Sequence, residues 1–481
     1  MKRLAMMACA LVLALALTGC LPRVDLSRDV AALPTADLSQ VPEAPVGYTP
    51  VSRSADAVIW YPGETGDRLS QQTYKVEGAS ESELYRAALE RMLALGGARF
   101  PEGAALLGAE STGDSLAVVD WQVADGAGER AVFALLMASA NTLGGLGAEA
   151  VSFRVNGRAA RVLGWPLGAV TPPGGDLTGL WARYMLESDE DECVRQALVY
   201  RAAMDGGSVA PELMEVRLAR EGEIRALLSA LREDSGLSGT FSAFPSDEGA
   251  VREDPAWLGD GVLRLTMDAN LLAMLETETI RPWQMYACAA CTLLSFLPEA
   301  ETVQIYVGNA RVGRIESPNE PLTFEDGAMR WEHFARIRSR AVTVYLAAGD
   351  RLAPVTRLMT GGAESNPLTR LSQVLSGPQV WETGAFRVAP DTVSAEDDIL
   401  GVSLSGREAR VNLSSDFITK CAGLSAQSER NLIYAMVDTL CGIRDVSRVR
   451  FYVDGRVKET FLSEISLLSP LYYNEGMAQS R

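Results

Sequence analysis

Hydrophobic and polar positions along this chain follow a pattern that is clearest near its C-terminal end. Within residues 425–456, Leu432, Ile433, Met436, Val437 and Leu440 recur at helical spacing as one apolar stripe, with Ser425 as N-cap and Gly442 as stop. Val449, Phe451 and Val453 then alternate with Arg448, Arg450 and Tyr452 ahead of an Asp454-Gly455 turn, the period of a half-buried strand. The same helix, strand and turn occur twice upstream. One apolar helix closes at Cys291-Thr292-Leu293 before Val303, Ile305, Val307 and the Gly308-Asn309 turn; another closes at Asn141-Thr142-Leu143 before Val151, Phe153, Val155 and Asn156-Gly157. A spacing of roughly 145 residues exceeds solenoid periods and predicts duplicated domains.

The periodicity predicts an α/β (α+β) fold built from three repeated small β-α-β-β-α-β modules. They span 56–172, 193–327 and 341–476, the second carrying an acidic, Gly/Ser-rich insertion at 232–260 that reads as a surface loop. In the first, strands at 57–61, 116–123 and 151–155 flank helices at 82–95 and 131–143. In the second, strands at 197–200, 262–268 and 303–307 go with helices at 221–231 and 282–296, and 316–340 reads as a linker. The third has a strand at 341–346, a helix at 367–375, a hairpin at 399–404 and 409–413, the helix and strand described first, and a final strand or return segment at 461–473.

The front of the chain has a different character. Lys2 and Arg3 precede an apolar run, 4–17, that is short for a membrane span and ends in Leu17-Thr18-Gly19-Cys20. This run resembles a bacterial lipobox. The resemblance implies a lipoprotein signal peptide over 1–19, cleavage between Gly19 and Cys20, and acylation of Cys20 with palmitate-type chains; an ordinary secretory signal with a coincidental cysteine is the other reading. From 20 to 55, Pro22, Pro34, Pro42, Pro45 and Pro50 interrupt any period, so this segment reads as a lipid-anchored flexible tether. The modules are then expected on the extracytoplasmic face of the bacterial cell membrane, held there by two acyl chains.

Composition narrows the function. The 481 residues are 47% hydrophobic, enough for several cores, and the formal charge of −18 argues against a nucleic-acid partner, which needs a basic face. With Cys9 in the signal and Cys20 as lipid site, Cys193, Cys288, Cys291, Cys421 and Cys441 are an odd remainder, expected mostly as buried thiols rather than as a disulfide framework. A single histidine, His333, stands beside Trp331 and Glu332 in the expected linker, so a Ser/His/Asp or Cys/His enzyme would have to rest on it alone. No lysine follows a glycine, which excludes a P-loop. Cys288-Ala289-Ala290-Cys291 has redox or zinc spacing, but it lacks a second ligand pair and aligns with Ala138, Asn141, Ala435 and Asp438 of the other helices, which fits a helix core better. Thr142, Thr292 and Thr439 recur at one position and read as packing residues whose hydroxyls bond the carbonyl four residues back. No residue is assigned to catalysis, to a cofactor or to a metal.

Residues 393–417, VSAEDDILGVSLSGREARVNLSSDF, followed by LIYAMVDTL at 432–440 and the strand at 449–455, resemble the GerMN domain. This is the repeated module of GerM-type sporulation and spore-germination lipoproteins of endospore-forming bacteria. The resemblance extends less fully to the first module and least to the second, and a third module departs from the usual two. It implies a compact domain similar to ring-building domains of envelope secretion machines. It also implies a non-enzymatic, membrane-anchored part that supports a transenvelope complex through contacts with envelope and sporulation proteins, self-association among them. A lipoprotein that binds a peptide, a glycan or a metal in a cleft between modules is the alternative.

Overall fold

Each module begins with a long antiparallel ribbon where periodicity predicts a single strand. Arg53–Pro62 pairs with Leu69–Gly78, Glu192–Ala203 with Val209–Ala219, and Ser339–Ala348 with Arg351–Thr360. The second strand of each ribbon is an outer edge. Leu69–Gly78 is exposed along most of its length. The other two carry Pro211 and Pro354, opposite Tyr200 and Tyr345, and proline is tolerated in a ladder only at such an edge.

The computed structural model describes residues 42–48, 53–188, 191–219, 222–259, 261–360 and 366–478. The expected signal peptide, Gly19, Cys20 and the expected tether up to residue 41 lie outside them. After each ribbon comes a helix, Glu81–Gly96, Glu223–Ala230 or Pro367–Ser376. A sheet hairpin follows: Ala105–Ser111 with Leu116–Gln122, Ala256–Gly259 with Val262–Met267, or Ile399–Ser405 with Glu408–Leu413. A second helix, Glu129–Gly144, Pro282–Phe296 or Ala426–Cys441, crosses to a last strand, Ala150–Val155, Thr302–Val307 or Arg448–Val453. That strand lies parallel to the inner hairpin strand, in registers that set Leu116 beside Ala150, Val262 beside Thr302 and Glu408 beside Arg448. The fold is mixed α/β with repeated modules, each β-β-α-β-β-α-β.

The second helix is the core of each module. Pro282 at its first turn starts the middle one, and every residue from Trp283 to Phe296 is buried. Such a helix needs partners on several sides, and each second helix packs on its own ribbon and on the last strand of its own sheet. The recurring threonines make the ribbon contact specific. Thr142 Oγ1 accepts the backbone N–H of Trp60 at 3.0 Å, Thr292 that of Tyr200 at 2.9 Å, and Thr439 that of Tyr345 at 3.0 Å. The hydroxyls therefore serve the neighbouring strand, where the sequence reading had them serving their own helix. Where it crosses the helix, the first ribbon strand is paired only with its ribbon partner, so its inward N–H groups there need acceptors, and helix threonines supply one per module.

Three segments are more ordered than composition suggests. Gly47–Tyr48 and Arg53 to Ala55, expected as tether, form a parallel pair with Gly401 and Val402 and the start of the first ribbon, where Ala55 is buried. The stretch 232–260, expected as a loop, lays Thr240–Phe241 against Ala202 and Ala203 and buries Ala243, Phe244 and Ala250. The fully buried Arg201 holds it there, bonded to Glu212 at 2.6 Å and to the carbonyls of Leu231 and Glu233 at 3.1 and 2.8 Å. Charges at its turns hid these scattered anchors. The expected linker, 316–340, pairs Leu322–Thr323 with Arg314–Ile315 and buries Phe334. Conversely, 461–473 is mainly a return segment, with a two-residue strand Leu471–Tyr472; the buried Glu429 carboxylate pins it through the N–H groups of Leu462, Glu464 and Ile465 at 3.0–3.1 Å.

Thr439→Val keeps the shape of the side chain and strands the N–H of Tyr345, so urea unfolding is expected to show a loss of about 1–3 kcal/mol. Thr439→Ser is expected to recover most of it.

Candidate functional site

Residues from Ala44 onward form one compact unit, and all three modules meet within it at a buried polar junction. The first module's sheet hairpin turns at Gly113, Asp114 and Ser115, and Ser115 is held at φ 79°, the left-handed region that a serine rarely adopts. Asp114, fully buried, accepts the Tyr200 hydroxyl of the second module's ribbon at 2.6 Å and the Arg338 guanidinium at 3.0 Å. Arg338 leads directly into the third module's ribbon at Ser339 and lies over the Trp331 ring at 4.2 Å. Burial drives the Tyr200 hydroxyl well above its ordinary pKa, and Asp114 adds to the effect, so the tyrosine stays a neutral donor. Burial pulls the Arg338 guanidinium down, but Asp114 beside it outweighs that and holds it charged. One carboxylate thus serves one donor from each of the other two parts of the chain.

Around this junction the modules share backbone. Val209 N–H bonds the Ile337 carbonyl at 2.8 Å, and the hydroxyls of Ser208 and Ser339 bond at 3.0 Å, joining second to third. Arg340 reaches the Gly147 carbonyl at 2.9 Å, joining third to first. Ser152 and Arg154 on the first module's last strand bond the carbonyls of Ser295 and Pro298, at the end of the second module's central helix, at 2.9 and 2.5 Å. Leu116, Ala150, Trp165 and Ala169 of the first module belong to the second module's core. Arg154, on the polar side of the first module's last strand, is therefore an inter-module contact. Arg450 is also inward: with Arg410 and Arg448 it surrounds the buried Glu408.

The position of Asn141 in the first module is held by Cys291 in the second and Asp438 in the third. Asn141 clasps the return segment at Gly174 from both sides, its Oδ1 accepting the N–H and its Nδ2 donating to the carbonyl, each at 2.9 Å. Asp438 Oδ1 accepts Asn474 N–H at 3.0 Å, while its Oδ2 is buried with no hydrogen-bond partner. Burial pushes the Asp438 carboxyl up to about 7, partly opposed by that N–H bond.

The remaining candidates have structural surroundings. Cys288 and Cys291 are free thiols inside the central helix, and burial pushes both far above the usual thiol range, away from the thiolate that redox or zinc chemistry needs. Cys421 and Cys441 are not joined, with thiols pushed by burial up to about 12 and about 11. His333 Nδ1 accepts the Arg330 N–H at 3.0 Å and the ring meets Phe324 edge-on. In the acidic run 396–398, Asp398 is buried and bonded to Lys420 at 2.8 and 2.9 Å. Among the described residues no group of three or more His, Cys, Asp or Glu is placed to hold a metal ion, and no helix is long and apolar enough to cross a membrane. An open cleft of about 600 Å³ separates the 232–260 stretch from the third module, lined by Ser238, Pro354, Thr356, Trp381 and Glu382 among others.

Residues 58–161 and 343–459, the bulk of the first and third modules, match the Germane family, described as sporulation and spore germination. The first and third modules are GerMN-type. The second module, whose central helix and sheet repeat the other two, lies between the matched segments. No curated protein matches this chain in sequence. Among solved structures it is similar to the tandem GerMN domains of the sporulation protein GerM from Bacillus subtilis, at 14% identity over 58% of this chain and 98% of that one, with a TM-score of 0.24. The first GerMN domain of the same protein is similar at 15% identity over 28% of this chain and 98% of that one, with a TM-score of 0.23. A lipoprotein from Clostridium perfringens is similar at 14% identity over 28% of this chain and 87% of that one, at 0.20. Scores this low carry no argument about function. The family is linked to sporulation and germination and is not a known class of enzyme.

Of the junction, Tyr200 sits in a stretch that reads as a strand, but Asp114 lies in an unpatterned turn and Arg338 in a segment without period, so neither carried a signal. Removing one partner of the buried pair, by Arg338→Met or Asp114→Leu, is expected to cost about 3–5 kcal/mol in urea unfolding. The double variant should lose less than the sum of the two, and strict additivity would rule out direct coupling. At Asp438 the folded-state carboxyl lies above its unfolded value of 3.8, so its contribution to stability is fully present below that pH and is lost as pH rises towards about 7. Asp438→Asn, which installs the residue the first module uses, is expected to raise the melting temperature at pH 8 and to flatten the pH dependence between 4 and 7.

Proposed function

We propose that this chain is a membrane-anchored envelope lipoprotein that acts without catalysis, through protein–protein contacts, in sporulation and spore germination, supporting a transenvelope complex. The observation that carries the reading is the Germane match over two modules of a chain whose three modules are locked through Asp114, Tyr200 and Arg338. A body fixed in that way presents its outer faces at set distances and angles, as a part of an assembly must. Lipidation at Cys20 would hold that body on the extracytoplasmic face of the cell membrane, which fits the lipobox-like Leu17-Thr18-Gly19-Cys20. A ligand-binding lipoprotein is the second reading. It is favoured by one observation: Glu382, which lines the cleft against the third module, has a buried Oε1 with no hydrogen-bond partner.

The test is the yield of heat-resistant spores, and their germination, in the native host lacking this protein, complemented with wild type or Cys20→Ala. Spore failure rescued by wild type alone supports the anchored sporulation part. Unchanged yield and germination would remove it and leave the cleft to be examined.

A further inference from the structure

The three modules share one sheet edge, and among the described residues only the third has it filled. The outer strands Ala105–Ser111, Ala256–Gly259 and Ile399–Ser405 are bulged at the same place: the pairing skips Leu107, Leu258 and Leu400, and the next residues are Gly108, Gly259 and Gly401. Each skipped leucine is exposed, by 51%, 51% and 41%. In the third module this edge receives a strand from the start of the chain. Gly47 and Tyr48 pair in parallel with Gly401 and Val402, and Asn412 Nδ2 donates to the Pro45 carbonyl at 3.1 Å. The lead segment comes so close that a Cβ on Gly401 would stand 2.4 Å from the Pro45 oxygen. Glycine there is required by the incoming backbone.

At Gly108 and Gly259 nothing among the described residues makes that demand. A Cβ at either would meet no atom within 4 Å, and neither residue adopts the left-handed conformation that favours glycine. Glycine weakens a strand, so its presence at both bulges lacks an intramolecular reason. Ser82 Oγ caps the first edge at its end, accepting the Ser111 N–H at 2.9 Å, but the strands otherwise lack the usual protection. The outer ribbon strands of the second and third modules carry Pro211 and Pro354, whereas Ala105–Ser111 and Ala256–Gly259 contain no proline, lysine or arginine and expose Leu107, Trp257 and Leu258.

We propose that the bulged edges at Gly108 and Gly259 are docking sites for an extended, proline-containing apolar segment of a partner protein, laid parallel along each strand as residues 45–48 lie along Gly401. Main-chain hydrogen bonds supply the affinity, the glycine admits the partner backbone, and the exposed leucine flanks it. This deepens the reading that the chain works through protein contacts.

The probe is a fluorescent peptide of residues 42–50, PEAPVGYTP, titrated with the full chain and followed by anisotropy, with backbone hydrogen exchange on the same mixture. Saturable binding, new exchange protection over 105–111 and 256–259, and weakening by at least about tenfold in the Gly108→Val, Gly259→Val double variant are expected. A peptide N-methylated at alternate amides should not bind. Absence of saturable binding overturns the proposal, as does binding that leaves both strands' exchange unchanged, the result if the peptide only displaces the chain's own lead segment at Gly401. The exchange measurement on wild type stands even if the double variant fails to fold. Sporulation is read separately, so peptide binding can fail while the spore phenotype holds, and the reverse.

Discussion

A single hydrogen bond, repeated three times, fixes the form of every module. Where the central helix crosses it, each ribbon's first strand bonds its partner strand on one side and turns unpaired N–H groups towards the helix on the other. Thr142, Thr292 and Thr439 answer it at the same helix position. A valine there would fill the same space and leave the N–H buried without an acceptor, which is the costly arrangement. The hydroxyl therefore sets the height of the helix against the ribbon. Everything that follows the helix, including the last strand and the parallel sheet, is placed from that height.

The modules are joined by a different means. Hydrophobic contact between the first and second is extensive, but apolar surfaces slide, and the relative setting of the three parts is specified by directional groups. Asp114 is the centre of that specification, since Thr112 of its own turn bonds Oδ1 and its Oδ2 accepts from both Tyr200 and Arg338. Glu429 and Asn141 do the same on a smaller scale, each tying a return segment to its helix through backbone groups.

Much of the architecture could be read from the chain because its central helices and last strands are strongly periodic. The helix expected at 282–296 is the one found, and the hairpin expected at 399–404 and 409–413 differs only at its ends. What escaped was whatever carries no period. The outer ribbon strands face water and are polar or proline-bearing. The 232–260 stretch is anchored by isolated residues such as Phe244 and by Arg201, which lies far away in sequence. The junction was invisible for the same reason: a turn aspartate and an arginine in a segment of mixed polarity look like surface until the fold brings them together. The threonines were legible as a repeat, yet their partner could not be inferred, because the ribbon N–H groups they serve lie roughly 80 to 95 residues away.

The pairing of Gly47 and Tyr48 with the third module also decides how the body would bear load. Pull transmitted through the residues before Pro42 reaches the Gly401 edge before it reaches the first ribbon. Residues 45–48 are clipped to the last module, so tension entering there would meet the third module first and reach the others through contacts such as those of Arg338 and Arg340. A short parallel pair drawn along its own direction resists as a group of bonds in shear, whereas one drawn sideways opens a bond at a time. The protein thus carries a mechanical element whose strength depends on the direction from which it is pulled.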